Sequence, residues 1–154
     1  MALKIIPYQC IFAKAFFELN IEWLETYFYV EEFDKEVLSN PEKYILNPGG
    51  HIFFALEKEK ILGTVALMPC EKKCYELTKM AVEPKERGRK VGQQMIKHCI
   101  NFCKKKQVNR LILYSNTILE NAIHIYKKYG FKEIPMEKNS PYKRGNIKME
   151  LKIN

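Results

Sequence analysis

Residues 82–92 read Val-Glu-Pro-Lys-Glu-Arg-Gly-Arg-Lys-Val-Gly, and they join an apolar run of strand character to an amphipathic run of helical spacing. No other stretch constrains the fold as tightly. A strand must hand over to a helix through a loop whose small residues, Gly88 and Gly92, let backbone N–H groups crowd together. At a helix N-terminus the unpaired amides and the positive end of the helix dipole favour a polyphosphate. Arg87, Arg89 and Lys90 bring three positive side chains to the same place. Several classes of nucleotide-binding protein share this physics, so the loop alone specifies a phosphate and no reaction.

The flanking pattern fills in the rest. Leu3 to Ile6, ended by Pro7, reads as a first strand. Ile11, Ala15, Phe16, Leu19, Trp23 and Tyr27 recur at three and four residues and predict a helix from about Tyr8 to Tyr29. A short second helix is predicted over Glu31 to Leu38, and Asn47-Pro48-Gly49-Gly50 breaks the chain. Three strands follow at Ile52 to Leu56, Ile61 to Met68 and Cys74 to Val82. Past the glycine loop, a helix is predicted from Gly88 to Lys105, with Val91, Met95, Cys99 and Phe102 facing inward. Arg110 to Tyr114 is a buried type of strand, and Asn116 or Thr117 can cap a helix that Gly130 ends. Phe131 to Met136 and Ile147 to Ile153 close the pattern. The order β-α-α-β-β-β-α-β-α-β-β describes one α/β domain over residues 1–154, a mixed sheet of about seven strands with helices on both faces.

With 47% hydrophobic residues in 154, the chain can bury a core without metals or disulfides. No run approaches the roughly 18 apolar residues of a membrane span, and the first residues lack a signal-peptide core, so a cytoplasmic location is expected. Cys10, Cys70, Cys74, Cys99 and Cys103 are then expected as reduced thiols, with no spacing that fits a zinc site. The net charge of +8 is unevenly spread: residues 18–42 carry −7 and the remainder +15. Such a body can bind an anionic cofactor on one side and a cationic second substrate on the other.

Taken together, the element order, the Arg-Gly-Arg-Lys-Val-Gly loop after the third meander strand, and Ala122-Ile-His-Ile-Tyr126-Lys-Lys-Tyr-Gly130-Phe131 resemble a GNAT N-acetyltransferase over essentially the whole chain. The resemblance implies acetyl transfer from acetyl-CoA to a primary amine, with the pantetheine arm lying between two parallel strands that splay apart. By position, Met80, Ala81 and Val82 hold the arm and the thioester carbonyl through backbone amides. Arg87, Gly88, Arg89, Lys90, Val91 and Gly92 hold the pyrophosphate. Two positions depart from the family pattern. Lys90 stands where glycine is usual, and the expectation is that this position needs only its N–H, so that lysine costs little. Leu119 stands where asparagine is common, and Asn116 or Asn121 can supply the lost polar contact to the cofactor arm.

Direct attack needs a neutral amine and a proton for the departing thiolate. Tyr126 falls at the family's general-acid position, and a phenol with an ordinary pKa near 10 is protonated at neutral pH. Glu76 is the candidate base. Regular alternation puts residues 76, 78, 80 and 82 on one face, with Glu76 about 20 Å from the strand end at Val82. Burial would raise its pKa toward a useful range, whereas a solvent-facing Glu76 would simply pair with Lys73 or Lys79. His51 and His124 are read as structural. The resemblance implies that the acceptor site is shaped by the segment of about Leu19 to Phe33 and the loop from Glu137 to Asn146, where Glu22, Trp23, Tyr27, Glu31 and Glu32 offer aromatic walls and carboxylates that suit a cationic amine. The acceptor is thus a small cationic amine, an amino acid derivative or a lysine side chain, and the protein a monomer or homodimer. The rival reading is a catalytically silent acyl-CoA-binding module. Nucleic-acid binding lacks any accompanying motif despite a pI of about 9.2, and no membrane role is expected.

Overall fold

The computed structural model describes residues 3–139 and 142–153. In chain order the elements are β1 (Lys4–Pro7), α1 (Ala13–Tyr27), α2 (Glu32–Ser39), β2 (His51–Glu57), β3 (Lys60–Pro69), β4 (Cys74–Val82), α3 (Val91–Lys105), β5 (Arg110–Ser115), α4 (Glu120–Lys128), β6 (Lys132–Ile134) and β7 (Ile147–Lys152). The strands form one sheet in the order β1-β2-β3-β4-β5-β7-β6. Among the described residues, only the β4–β5 pair runs parallel.

Alternation along β2 and β3 splits the apolar side chains between two cores. Phe53, Ala55, Val65 and Leu67 pack with Val91, Met95, Ile96 and Cys99 of α3. Ile52, Phe54 and Ala66 pack with Phe16 and Leu24 of α1 and with Val37 and Leu38 of α2. The sheet is therefore buried on both faces, which is why its central strands read as continuous apolar runs.

Two irregularities shape the centre. In the β3–β4 ladder Thr64 pairs Ala81 and Ala66 pairs Thr78, so Val65 alone stands opposite Lys79 and Met80. This is a β-bulge, and Lys79 has a φ of 53°. It inverts the parity of the strand: Tyr75 and Leu77 share the α3 core with Met80 and Val82. Glu76, paired with Met68 of the α1–α2 core, lies on the opposite face. The expectation that Glu76 and Met80 share a face is thus corrected; unbroken alternation cannot foresee an inserted residue. The second irregularity is a splay. β4 and β5 pair only between Cys74–Glu76 and Arg110–Ile112. Beyond that, β3 holds β4 to Val82 while β7 holds β5 to Ser115, and the two strands part.

The helix starts also differ from the pattern. α1 follows a 3-10 turn at Cys10–Phe12. A π-helical turn at Glu42–Leu46, not anticipated, packs Ile45 into the core. α4 begins at Glu120 with Leu119 at its N-cap. Asn116 cannot cap it, because its Oδ1 accepts from the Ile118 N–H and its Nδ2 donates to the Arg144 carbonyl. Cys70 and Cys74 are joined by a disulfide across the β3–β4 turn, whose Cα atoms lie 5.5 Å apart, an ordinary bridging distance. The expectation of five reduced thiols fails for this pair, since the hairpin brings them together; Cys10, Cys99 and Cys103 are free.

Candidate active site

The parting of β4 and β5 opens a cleft of about 800 Å³ that also takes in α1, α2, the N-terminus of α3 and the start of α4. One end is built for an anion. Lys90 is the N-cap of α3, and its backbone is left-handed, with φ 64° and ψ 20°. Gly88 is also at positive φ, 87°. Among the described residues neither the Gly88 nor the Lys90 amide donates to a backbone carbonyl, and no side chain caps α3. The first-turn amides of a helix have no intrahelical acceptor. These N–H groups and the helix dipole therefore converge where Gly88, Lys90, Val91 and Gly92 line the cleft.

The expectation that position 90 requires only an N–H is corrected here. The left-handed backbone is the reason glycine suits this position, because a Cβ crowds the following carbonyl oxygen. Lysine occupies it under strain. The three basic side chains also separate. Arg87 lines the cleft, pairs with Glu22 of α1 and lies 5.4 Å from the Tyr27 ring centroid. Arg89 does not line it; its guanidinium turns to Glu86 and Glu57.

Met80, Ala81 and Val82 of the bulged β4 edge form one wall, and Asn116, Asn121 and Tyr126 form the other. Tyr126 packs edge-on to Phe131 at 5.9 Å. Burial pushes its pKa up to about 12. Among the described residues every fully buried side-chain polar atom has a hydrogen-bond partner. The Tyr126 hydroxyl makes no hydrogen bond within them, so it must open to the cleft. The Asn116 carboxamide is spent on Ile118 and Arg144, which leaves Asn121 as the freer amide.

At the other end Trp23 and Tyr27 of α1 line the cleft with Asn20, Asp34, Lys79, Tyr114, Tyr142 and Arg144. Glu22, Glu31 and Glu32 do not. Glu22 is taken by Arg87, Glu31 lies 3.5 Å from Arg144, and Glu32 is exposed on the first turn of α2. Arg144 grips both oxygens of Asp34, at 2.9 and 3.0 Å. Much of the anticipated acidic flank is thus neutralised within the molecule. Glu76 accepts a hydrogen bond of 2.7 Å from the Tyr142 hydroxyl. Its burial raises its pKa above the usual carboxylate range, against the opposing pull of Tyr142 and Lys79. The loop from Glu137 to Asn146, of which residues 140–141 lie outside the described residues, is pinned by Tyr142 to β4 and by Arg144 to α2.

Reading from sequence missed Lys79, Tyr142 and Arg144. Lys79 carried a signal, a lone cation inside Leu-Thr-Lys-Met-Ala-Val. Tyr142 and Arg144 carried none beyond their place in the loop.

Residues 17–131 match the family model described as the acetyltransferase (GNAT) family. An uncharacterised N-acetyltransferase of Schizosaccharomyces pombe is 29% identical over 114 residues, 68% of this chain and 70% of that protein. A GNAT-family acetyltransferase of Staphylococcus aureus Mu50 superposes with a TM-score of 0.87 at 22% identity, covering 99% of this chain and 100% of its own. The PaiA N-acetyltransferase of Thermoplasma acidophilum, solved in complex with coenzyme A, superposes at 0.77 with 19% identity and 99% of each chain covered.

Proposed function

This chain belongs to the GNAT acetyltransferase family, and we propose that it moves the acetyl group of acetyl-CoA directly onto a primary amine, with Tyr126 as general acid and Glu76 as general base. The residues present fit the cofactor. Unpaired amides at Gly88, Lys90 and the uncapped start of α3 suit a pyrophosphate, and the gap between β4 and β5 suits an extended arm. Bound acetyl-CoA supplies the acetyl group as a thioester. Backbone groups of Met80 to Val82, freed of β5 by the splay, line the wall where the acyl carbonyl would be held.

One observation carries the reading. Tyr126 offers a protonated hydroxyl, without a hydrogen-bond partner among the described residues, into the same cleft that Gly88, Lys90 and Gly92 line. A phenol with its pKa pushed up to about 12 keeps its proton at neutral pH and can give it to a thiolate as the carbon–sulfur bond breaks. Glu76 supports the other half. A carboxylate above its ordinary range is better matched to accept a proton from an ammonium. Glu76 is not itself a lining residue, so Tyr142, which lines the cleft and donates to it, or a water stands between it and the acceptor. The acceptor is a small-molecule or peptide amine. Pairing of Glu22, Glu31 and Asp34 with arginines leaves little free negative charge for a polycation, which favours an amino acid derivative over the other acceptors.

The test is thiol release from acetyl-CoA over an amine panel, with Tyr126→Phe beside the wild type. The expected loss is roughly 100-fold or more in kcat, with coenzyme A affinity retained. Undiminished turnover by Tyr126→Phe removes the acid role. Coenzyme A binding with no thiol release for any amine favours the silent module.

A further inference from the structure

We infer that the acceptor carries a carboxylate close to its amine, held by the Lys79 ammonium, so that the acceptor class is free α-amino acids. The inference rests on the acetyl-transfer reading of the same cleft.

Lys79 is an anomaly on two counts. It holds a left-handed φ of 53° in the interior of a strand, a strained conformation that persists only where the surroundings enforce it. The bulge provides that enforcement, and bulges beside active sites re-aim side chains. The side chain it presents lines the acceptor half of the cleft, with Nζ 5.4 Å from the Tyr142 ring centroid. Its ammonium makes no salt bridge or hydrogen bond among the described residues, yet no fully buried polar atom there lacks a partner. The Nζ atom is therefore open to the cleft.

Carboxylates close enough to act on this ammonium are already engaged. Both oxygens of Asp34 bind Arg144, and one oxygen of Glu76 binds the Tyr142 hydroxyl. Burial drives the Lys79 pKa down, against the pull of Asp34 and Glu76. A cation kept in such a place without a bonded counter-ion is costly unless a ligand brings one. The acceptor half thus offers one ammonium, Lys79, on its lining, and Glu76 lies three residues before it on the bulged strand, outside the lining and bonded to the lining residue Tyr142. That pair complements a zwitterion whose ammonium and carboxylate are separated by a single carbon. Lys79 also directly precedes Met80, so the carboxylate site adjoins the wall assigned to the acyl group.

The test compares thiol release for L-amino acids and their α-carboxamides, which differ at the carboxylate, in wild type, Lys79→Met and Lys79→Arg. The expected wild-type preference in kcat/KM for the acid is roughly 10- to 100-fold, the worth of one charge-assisted hydrogen bond. It runs against the lower amine pKa of the amides, which favours them chemically. Lys79→Met should bring the acid-to-amide ratio to about one, and Lys79→Arg should keep a preference for the acid. Equal or better turnover of the amides by wild type overturns the inference, as does a ratio unmoved in Lys79→Met. If no amine is acetylated, the acetyl-transfer reading fails separately. Calorimetric binding of N-acetyl-L-amino acids to the protein saturated with coenzyme A then decides the subsite. Binding by wild type and not by Lys79→Met upholds it, and absence of binding by wild type overturns it.

Discussion

Replacing Lys90 by glycine should stabilise this protein even though it removes a side chain from the cofactor loop. Lys90 sits at φ 64° and ψ 20°, where a Cβ costs roughly 1–2 kcal/mol relative to glycine. Glycine returns about 0.4–1 kcal/mol through its greater freedom in the unfolded chain. The net gain is therefore about 0.5–1 kcal/mol, or about 2 °C in melting temperature for a domain of this size. Lys90→Ala is the control, because alanine keeps the strained Cβ while also removing the charge. Glycine should exceed alanine in stability by roughly that margin. Both variants lose one positive charge beside the amides that face the anion, so both should bind coenzyme A more weakly, by up to about fivefold at low salt and less at high salt. Thermal denaturation without ligand and calorimetric titration with coenzyme A at two ionic strengths separate the two effects. If alanine proves as stable as glycine, the backbone at position 90 is not under strain and the account of the loop is wrong.

Other outcomes follow from the same contacts. Tyr142→Phe removes the hydrogen bond that holds the Glu76 pKa down against burial, so the acidic limb of the kcat/KM profile should move to higher pH with the same acceptor; an unmoved limb means Glu76 is not the group reported. Because burial raises that pKa, the folded state binds the Glu76 proton more tightly than the unfolded chain does. Its contribution to stability is present below the unfolded pKa and is lost as pH rises through the higher folded value, which Glu76→Gln should remove from a pH series of urea melts. Arg144→Ala strands Asp34, which is only 6% exposed, and should cost about 3 kcal/mol in urea denaturation. Glu22→Gln releases Arg87 from its ion pair and should tighten coenzyme A binding a few-fold at low salt, roughly the worth of one partly exposed pair; weaker binding would mean that Glu22 holds Arg87 in its working position.

Much of the fold was legible because its signals are local. The helical stripes of α1 and α3 and the apolar runs of β2 to β5 each reflect a period set by backbone geometry, and their order together with the glycine loop and the Ala122-to-Phe131 motif pointed to the family. That Tyr126 and Arg87, Gly88, Lys90, Val91 and Gly92 share one cleft was expected for a similar reason, since each keeps a fixed offset within its own motif. The acceptor site was not legible in this way. Arg144 meets Asp34 across a sequence separation of 110 residues, and Tyr142 meets Glu76 across 66. The acidic run read as a docking flank because the arginines that neutralise it lie far along the chain.

By itself the sequence determined that a strand, a glycine loop and a helix would bring unpaired amides together, and that Tyr126 would lie on the helix downstream. Those outcomes depend on neighbours in the chain. Tertiary structure alone decided that Lys90 takes a left-handed backbone, that a bulge puts Glu76 on the face opposite Met80, and that Lys79 faces the cleft without a bonded counter-charge among the described residues. The last two depend on the register between β3 and β4 and on ion pairs between distant segments, and the first on how the loop enters α3; none is written in a local period.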